Sequence, residues 1–226
     1  MHRKALVAGI AVFGLFAASS ARAVTILDFE SLGLLPYGLI PSNYGDHAAG
    51  TPHVGVSYWS DAAGAGQTDR PNLAFWTANY GNLTNVAYPN VDLGETGSGI
   101  AATGYIYLTP DPGWQVVLNG FDVAGYAPNA GLYTGGNIPY SWLVTWSGGP
   151  TMASGFFGPA GTALSSHVSF AGPIVSSTPI VIALGGDWNV ALDNVSFDET
   201  PVPEPGSLGL IGAGLLELIR RRRRQA

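Results

Sequence analysis

The chain has 226 residues, of which 46% are hydrophobic and 11% are charged, and it contains no cysteine, so no disulfide can stabilise its fold. Eight of its nine Lys and Arg residues lie near the two ends, which leaves a central body with thirteen acidic residues and one basic residue, Arg70. A body with a formal charge near −12 excludes nucleic acid as a partner, because phosphates require several Lys or Arg contacts.

Residues 1–23 have the pattern of a secretory signal peptide. A positive segment, His2 to Lys4, precedes an apolar run from Ala5 to Ala18, and Ala21-Arg22-Ala23 forms a small-x-small cleavage site. The run is short for a transmembrane helix, and the cleavage site follows it directly. We therefore expect the secretion machinery to export the chain and the mature protein to begin at Val24.

Residues 24–200 have a length that suits a single domain. Glycine and proline interrupt this body every several residues, and short β-branched and aromatic runs remain between them. This pattern predicts an all-β fold, a β-sandwich or jelly roll of about 8–10 strands. The predicted strands are 25–29, 54–59, 73–77, 100–109, 114–118, 120–126, 140–147, 163–170, 180–184 and 188–197.

Two local sequence features predict a turn and a bulge in these strands. Asn119-Gly120 between apolar runs predicts a type I′ hairpin turn, because both residues tolerate positive φ. In the last strand the apolar positions change parity between Leu192 and Val195, which predicts a β-bulge at Asp193-Asn194.

Residues 201–226 contain three blocks with separate meanings. A proline-rich segment, Pro201 to Pro205, gives an extended spacer, and an apolar run, Gly206 to Ile219, follows it. Five consecutive arginines then mark the cytoplasmic side of a membrane. As a helix the apolar run reaches about 21 Å, less than the roughly 30 Å hydrocarbon core, which favours a short transmembrane helix used transiently over a permanent anchor.

Val-Pro-Glu-Pro at 202–205, the apolar run and the arginine cluster together resemble the PEP-CTERM sorting signal of exported bacterial proteins. The resemblance implies recognition by an exosortase, transient residence in the inner membrane, and delivery to the cell surface or to an extracellular exopolysaccharide matrix, as in a biofilm. Glu217 departs from the usual uncharged run, and Arg220 and Arg221 are spaced to neutralise it. The residues assigned to the signal are Pro203, Glu204, Pro205, Arg220, Arg221, Arg222, Arg223 and Arg224.

The body carries a second resemblance. Its opening residues, 27–30, and its closing residues, 191–197, are similar to the ends of the jelly-roll domains common in PEP-CTERM proteins. Those domains are similar to carbohydrate-binding, lectin-like sandwiches, so the resemblance implies fold more than activity.

The sequence provides no set of residues typical of an enzyme. No Gly-x-Ser-x-Gly elbow and no cysteine nucleophile is present, and the histidines of the body, His47, His53 and His167, have no metal-ligand spacing. We expect a non-enzymatic protein, with an extracellular hydrolase as a remote alternative.

A structural calcium ion is one candidate ligand. Asp28 and Glu30 on the first strand, with Asp193 at the predicted bulge of the last strand, could supply hard oxygen ligands where these strands meet. The simpler alternative is that these carboxylates are solvated at strand ends.

Aromatic side chains are the second candidate site. All six tryptophans lie in the body, and flat rings can stack on sugars when they are exposed. Alternation predicts that Trp142 and Trp146 are core residues, whereas Trp59, Tyr80 and Tyr133 adjoin or occupy predicted loops and are the candidate carbohydrate contacts. The leading functional hypothesis is a surface or matrix protein, with a module that binds the exopolysaccharide as the alternative.

Overall fold

A computed structural model describes residues 23–63, 70–80, 82–90, 101–125, 141–146, 150–156, 165–185, 190–203 and 205–225. Apart from Ala23, the predicted signal peptide lies outside these residues. Within them the chain forms eleven strands, a short 3-10 helix (Glu30–Leu32) and one α-helix, α1 (Pro205–Gln225). The strands are β1 (Thr25–Leu27), β2 (Val54–Ala63), β3 (Leu73–Trp76), β4 (Val86–Pro89), β5 (Ala101–Pro110), β6 (Trp114–Gly125), β7 (Ser141–Trp146), β8 (Thr151–Phe156), β9 (Ser165–Ser176), β10 (Ile180–Gly185) and β11 (Val190–Pro201).

The strands form two antiparallel sheets. The first has the order β3-β4-β11-β6-β9, and β1 also pairs with β11. The second has the order β2-β5-β10-β7-β8. β1 and β4 share one edge of β11, because β1 pairs at residues 195–197 and β4 pairs at Leu192. The predicted all-β sandwich is confirmed.

One hydrophobic core lies between the sheets. Alternate residues of β2 and β5, such as Val56 and Ile106, are buried together with Leu118 and Phe197 from the first sheet. This alternation is what a strand with one buried face requires. Gly104 allows close approach of the sheets, since a Cβ at this position would lie 2.8 Å from a methyl group of Leu73.

The bulge predicted in the last strand is confirmed. Asp193 pairs with Asp122 and Ser196 with Gly120, so β11 uses one more residue than β6 in this interval. Asn194 has φ of 53°, a left-handed conformation that asparagine tolerates better than most residues. The bulge keeps both Leu192 and Val195 in the core, which explains the change of parity in the sequence.

The hairpin predicted at Asn119-Gly120 is wrong. Both residues lie inside the continuous strand β6, and Asn119 is itself a bulge, because Ser196 pairs with Gly120 and Phe197 with Leu118. The two bulges compensate, so β6 and β11 return to their original register beyond them. An Asn-Gly pair also suits a bulge. The residues on either side of it pair with the neighbouring strands β11 and β9 instead of with each other.

Most predicted strands have counterparts, but two were missed. β4 and β8 lie outside all the predicted strands, and β9 extends six residues past its predicted end at Phe170 to Ser176. β4 is buried along its whole length, whereas β8 contains the weak strand formers Ala153, Ser154 and Gly155.

The C-terminal apolar run is helical, as predicted, and α1 continues through the arginines to Gln225. Arg221 Nε lies 3.2 Å from Glu217 Oε1, which confirms the predicted compensation of this charge by Arg221. Among the described residues, no helix combines the length and the apolar character needed to cross a membrane.

Candidate functional site

The C-terminal segment is joined directly to the sandwich. β11 continues to Pro201, which pairs with Trp114, and the Val202 N–H donates to the Gly113 carbonyl at 2.8 Å. Pro203 is the first described residue after this bond, and α1 begins at Pro205. β11 therefore ends at Pro201, which is the first residue of the segment that resembles a sorting signal.

The predicted calcium ligands lie close enough together to influence one another. Asp193 is 4% exposed, and burial raises the pKa of its carboxyl from 3.8 to about 7 despite a hydrogen bond from the Asn194 N–H. Repulsion from Asp122, Glu30 and Asp28 acts in the same direction as burial. Of these residues, Asp122 is the one that pairs directly with Asp193, across β6 and β11.

Neighbouring groups hold two of these carboxylates in place. The Tyr44 hydroxyl donates to Asp28 Oδ1 at 3.0 Å, and the Asn194 side-chain amide donates to Asp122 Oδ2 at 2.8 Å. In the part of the chain that the structure describes, no three His, Asp or Glu side chains converge as a group that could hold a metal ion. Calcium binding by Asp28, Glu30 and Asp193 stays a prediction.

Trp59 lies on the outer face of the second sheet. Along β2, Tyr58 and Ser60 are buried, while Ser57, Trp59 and Asp61 point outward, and Trp59 is 36% exposed. On the adjacent strand β5, Tyr105 pairs with Trp59 and Tyr107 pairs with Ser57. The two tyrosine rings are half-buried and lie 6.1 Å apart between centroids.

The other predicted carbohydrate contacts have different outcomes. The expectation that Tyr80 is exposed is wrong, because the ring is 1% exposed and stacks on Tyr88 in a small second hydrophobic cluster. Leu83, which forms an isolated bridge with Tyr80, packs against the same cluster. Tyr133 and the side chains of Trp142 and Trp146 lie outside what the structure describes.

Sequence reasoning missed a cluster of histidines and carboxylates. Asp111 lies between His47 Nε2 at 3.6 Å and His53 Nδ1 at 3.4 Å, and His47 Nδ1 also lies 3.0 Å from Asp46. The His53 ring stacks on Trp114 with centroids 3.9 Å apart. The cluster joins the segment before β2 to the turn between β5 and β6, and no spacing in the sequence indicates that these segments meet.

Comparison with known proteins identifies the C-terminal segment alone. Residues 201–224 match the model of the PEP-CTERM protein-sorting motif. No curated protein and no solved structure matches the chain.

The fold and this match define the class of the protein, a β-sandwich with a C-terminal sorting signal. Residues 201–224 of the chain are a PEP-CTERM protein-sorting motif. This motif implies export, passage through the membrane, processing by an exosortase and localisation at the surface.

Proposed function

We propose that this protein is a non-enzymatic component of the cell surface or extracellular matrix, in which the sorting signal delivers a preformed β-sandwich. The signal peptide directs export, α1 resides transiently in the inner membrane, and exosortase processing releases the sandwich to its final position. The observation that carries the proposal is the PEP-CTERM motif at residues 201–224.

The junction between body and signal supports this order of events. β11 is paired with β6 as far as Pro201, and the hydrogen bond from Val202 to Gly113 continues this attachment to the body. Among the side chains that the structure describes, the core contains residues of both sheets and none of α1. Processing within the signal would therefore leave the contacts of the sandwich intact.

Replacing Pro203, Glu204 and Pro205 together by alanine tests the proposal. We expect the variant to be exported but to accumulate unprocessed in the membrane fraction, while the wild type reaches the surface. Arg70→Gln is the matched control, since it changes the one basic residue of the body and leaves the signal intact. Equal surface delivery of the alanine variant and the wild type would overturn the proposal.

A second candidate function is binding of the matrix exopolysaccharide. It is favoured by the exposed ring of Trp59 on the outer face of a sheet beside Tyr105. Tyrosine and tryptophan offer large, rigid contact surfaces at a low cost in conformational entropy. Equilibrium binding of the purified full chain to polysaccharide from the producing cells tests this candidate, and an absence of binding at millimolar sugar would exclude it.

A further inference from the structure

The outer face of the second sheet presents an elongated aromatic strip that is acidic at both ends. We define the outer strip as Ser57, Trp59 and Asp61 on β2 with Tyr105 and Tyr107 on β5. Trp59 and Tyr105 are directly opposed in the ladder, as are Ser57 and Tyr107. Directly opposed residues have Cβ atoms about 5 Å apart, so the rings lie on one continuous surface.

Carboxylates flank the rings at both ends of the strip. Asp61 is exposed beyond Trp59 at one end. At the other end Gly55 lies under Asp46 and His47, because a Cβ on Gly55 would be 3.4 Å from Asp46 Oδ1 and 3.5 Å from His47 Cε1. Asp111 follows, with its side chain 42% exposed.

We propose that the outer strip binds a polysaccharide of amino sugars that carry free amino groups. The proposal deepens the second candidate function and rests on it. The apolar faces of the sugar rings would stack on Trp59 and Tyr107, and the ammonium groups would lie near Asp61 at one end and Asp46 and Asp111 at the other.

The charge of the molecule selects this ligand over an acidic one. The body has thirteen acidic residues and one basic residue, so it repels a polyuronate chain and attracts a polycation. Ammonium groups also interact favourably with the faces of tryptophan and tyrosine. A neutral sugar would gain from stacking alone, without the electrostatic contribution.

The strip also has the rigidity that a binding surface needs. Its five side chains project from two paired strands whose inward residues, Val56, Tyr58, Ile106 and Leu108, are buried in the main core. A site placed on strands retains its geometry when the ligand binds, so little ordering entropy opposes binding.

The test measures binding of the purified full chain to a glucosamine oligosaccharide, to its fully N-acetylated form and to an oligouronate by calorimetry. We expect the glucosamine oligomer to bind best and the oligouronate not to bind. Trp59→Ala should weaken binding by at least about tenfold, as truncation of a central aromatic contact commonly does. Asp61→Asn should weaken it by about twofold to fivefold and reduce its dependence on salt.

Two further variants make the result specific to the strip. Trp59→Phe retains an aromatic ring and should recover most of the affinity, which guards against a loss caused by misfolding. Tyr37→Ala is the matched control, since its ring is 49% exposed but belongs to the segment paired with β3 in the other sheet, and it should bind like the wild type.

Each remaining outcome overturns a distinct part of the argument. Binding that is unchanged in Trp59→Ala would place the site elsewhere while leaving the polysaccharide-binding function intact. Equal affinity for the acetylated oligomer would exclude the ammonium contribution. A wild-type chain that binds none of the three oligosaccharides would overturn the amino-sugar proposal, whereas the second candidate function would fall only if polysaccharide from the producing cells also failed to bind.

Discussion

At Asp193, burial and repulsion between carboxylates oppose ionisation. Its folded pKa of about 7 lies above the ordinary value of 3.8, chiefly because the side chain is buried and then because Asp122, Glu30 and Asp28 repel its charge. Between these two pH values the folded chain binds more protons than the unfolded chain. The free energy of unfolding therefore falls as the pH rises from about 4 to about 7.

The Asp193→Asn variant should remove this dependence. At pH 8, in the presence of a chelator, we expect it to be more stable than the wild type by up to about 4 kcal/mol, the equivalent of a shift of about three pKa units. At pH 3.5 the two should differ by about 1 kcal/mol or less, because Asp193 is then mostly protonated in both states. Urea unfolding at both pH values measures the difference. A stability gap that does not change with pH would contradict the raised pKa.

Calcium should restore the stability that the wild type loses at high pH, if Asp28, Glu30 and Asp193 bind it. At pH 8, millimolar calcium should raise the melting temperature of the wild type relative to the chelated protein, by roughly 2–4 °C for each kcal/mol of binding free energy. Glu30→Gln should weaken the effect, whereas Asp61→Asn, on the other sheet, should not. Identical melting temperatures with calcium and with chelator would exclude the site.

At the scale of elements, β6 and β11 are held in register by two bulges. Asn119 has no opposite residue on β11, and the extra residue at Asn194 has none on β6. Even-numbered residues face the core before each bulge, and odd-numbered residues face it after the bulge. Leu118 and Phe121 are therefore both buried on β6, as are Leu192 and Val195 on β11. Neither strand could bury all its apolar residues without its bulge.

Deleting these asparagines singly and together tests this coupling. Loss of Asn119 alone or Asn194 alone should displace one strand by a residue and be severely destabilising, because part of its apolar face then turns toward solvent. Loss of both restores one-to-one pairing between β6 and β11, so the double deletion should be clearly less destabilising than the sum of the single deletions. Thermal unfolding of the three variants measures this, and additive losses would mean that the bulges are independent.

These two strands also show how far the sequence alone could predict the fold. The change of parity near Asn194 predicted a bulge correctly, and the same change from Leu118 to Phe121 was visible near Asn119. There the local Asn-Gly signal favoured a turn, because a bulge can be distinguished from a hairpin only when the pairing strands are known. The sequence predicted strands near β9 and β11, but it does not reveal that both pair with β6.

The candidate site was predictable to a similar extent. Alternation along β2 places Trp59 outward, and the sequence identified this residue. It could not show that β5 lies beside β2 with Tyr105 opposite Trp59, since strand order depends on the packing of the whole sandwich. The burial of Tyr80 and the meeting of His47 with Asp111 depend on tertiary contacts in the same way.

At the scale of the whole molecule, charge is separated along the chain. The body is strongly acidic, and five arginines lie at the end of α1. Because arginine crosses a membrane at a high cost in free energy, the cluster favours retention of its own end on the cytoplasmic side while the body is exported. In the proposed function the arginines therefore set the orientation in which the exosortase meets the chain.

Changing Arg220 to Arg224 together to glutamine should weaken this orientation. We expect a smaller fraction of the protein to be processed and delivered to the surface, because the helix then lacks the positive charge that stops its passage through the membrane. The matched control replaces the same five residues with lysine, which keeps the charge and should be delivered like the wild type. Cell fractionation combined with protease accessibility of the body measures both variants. Delivery of the glutamine variant at the wild-type level would show that the proline-glutamate-proline segment and the apolar run act without the arginine charge. Failure of the lysine variant would show that a property of arginine other than its charge is required.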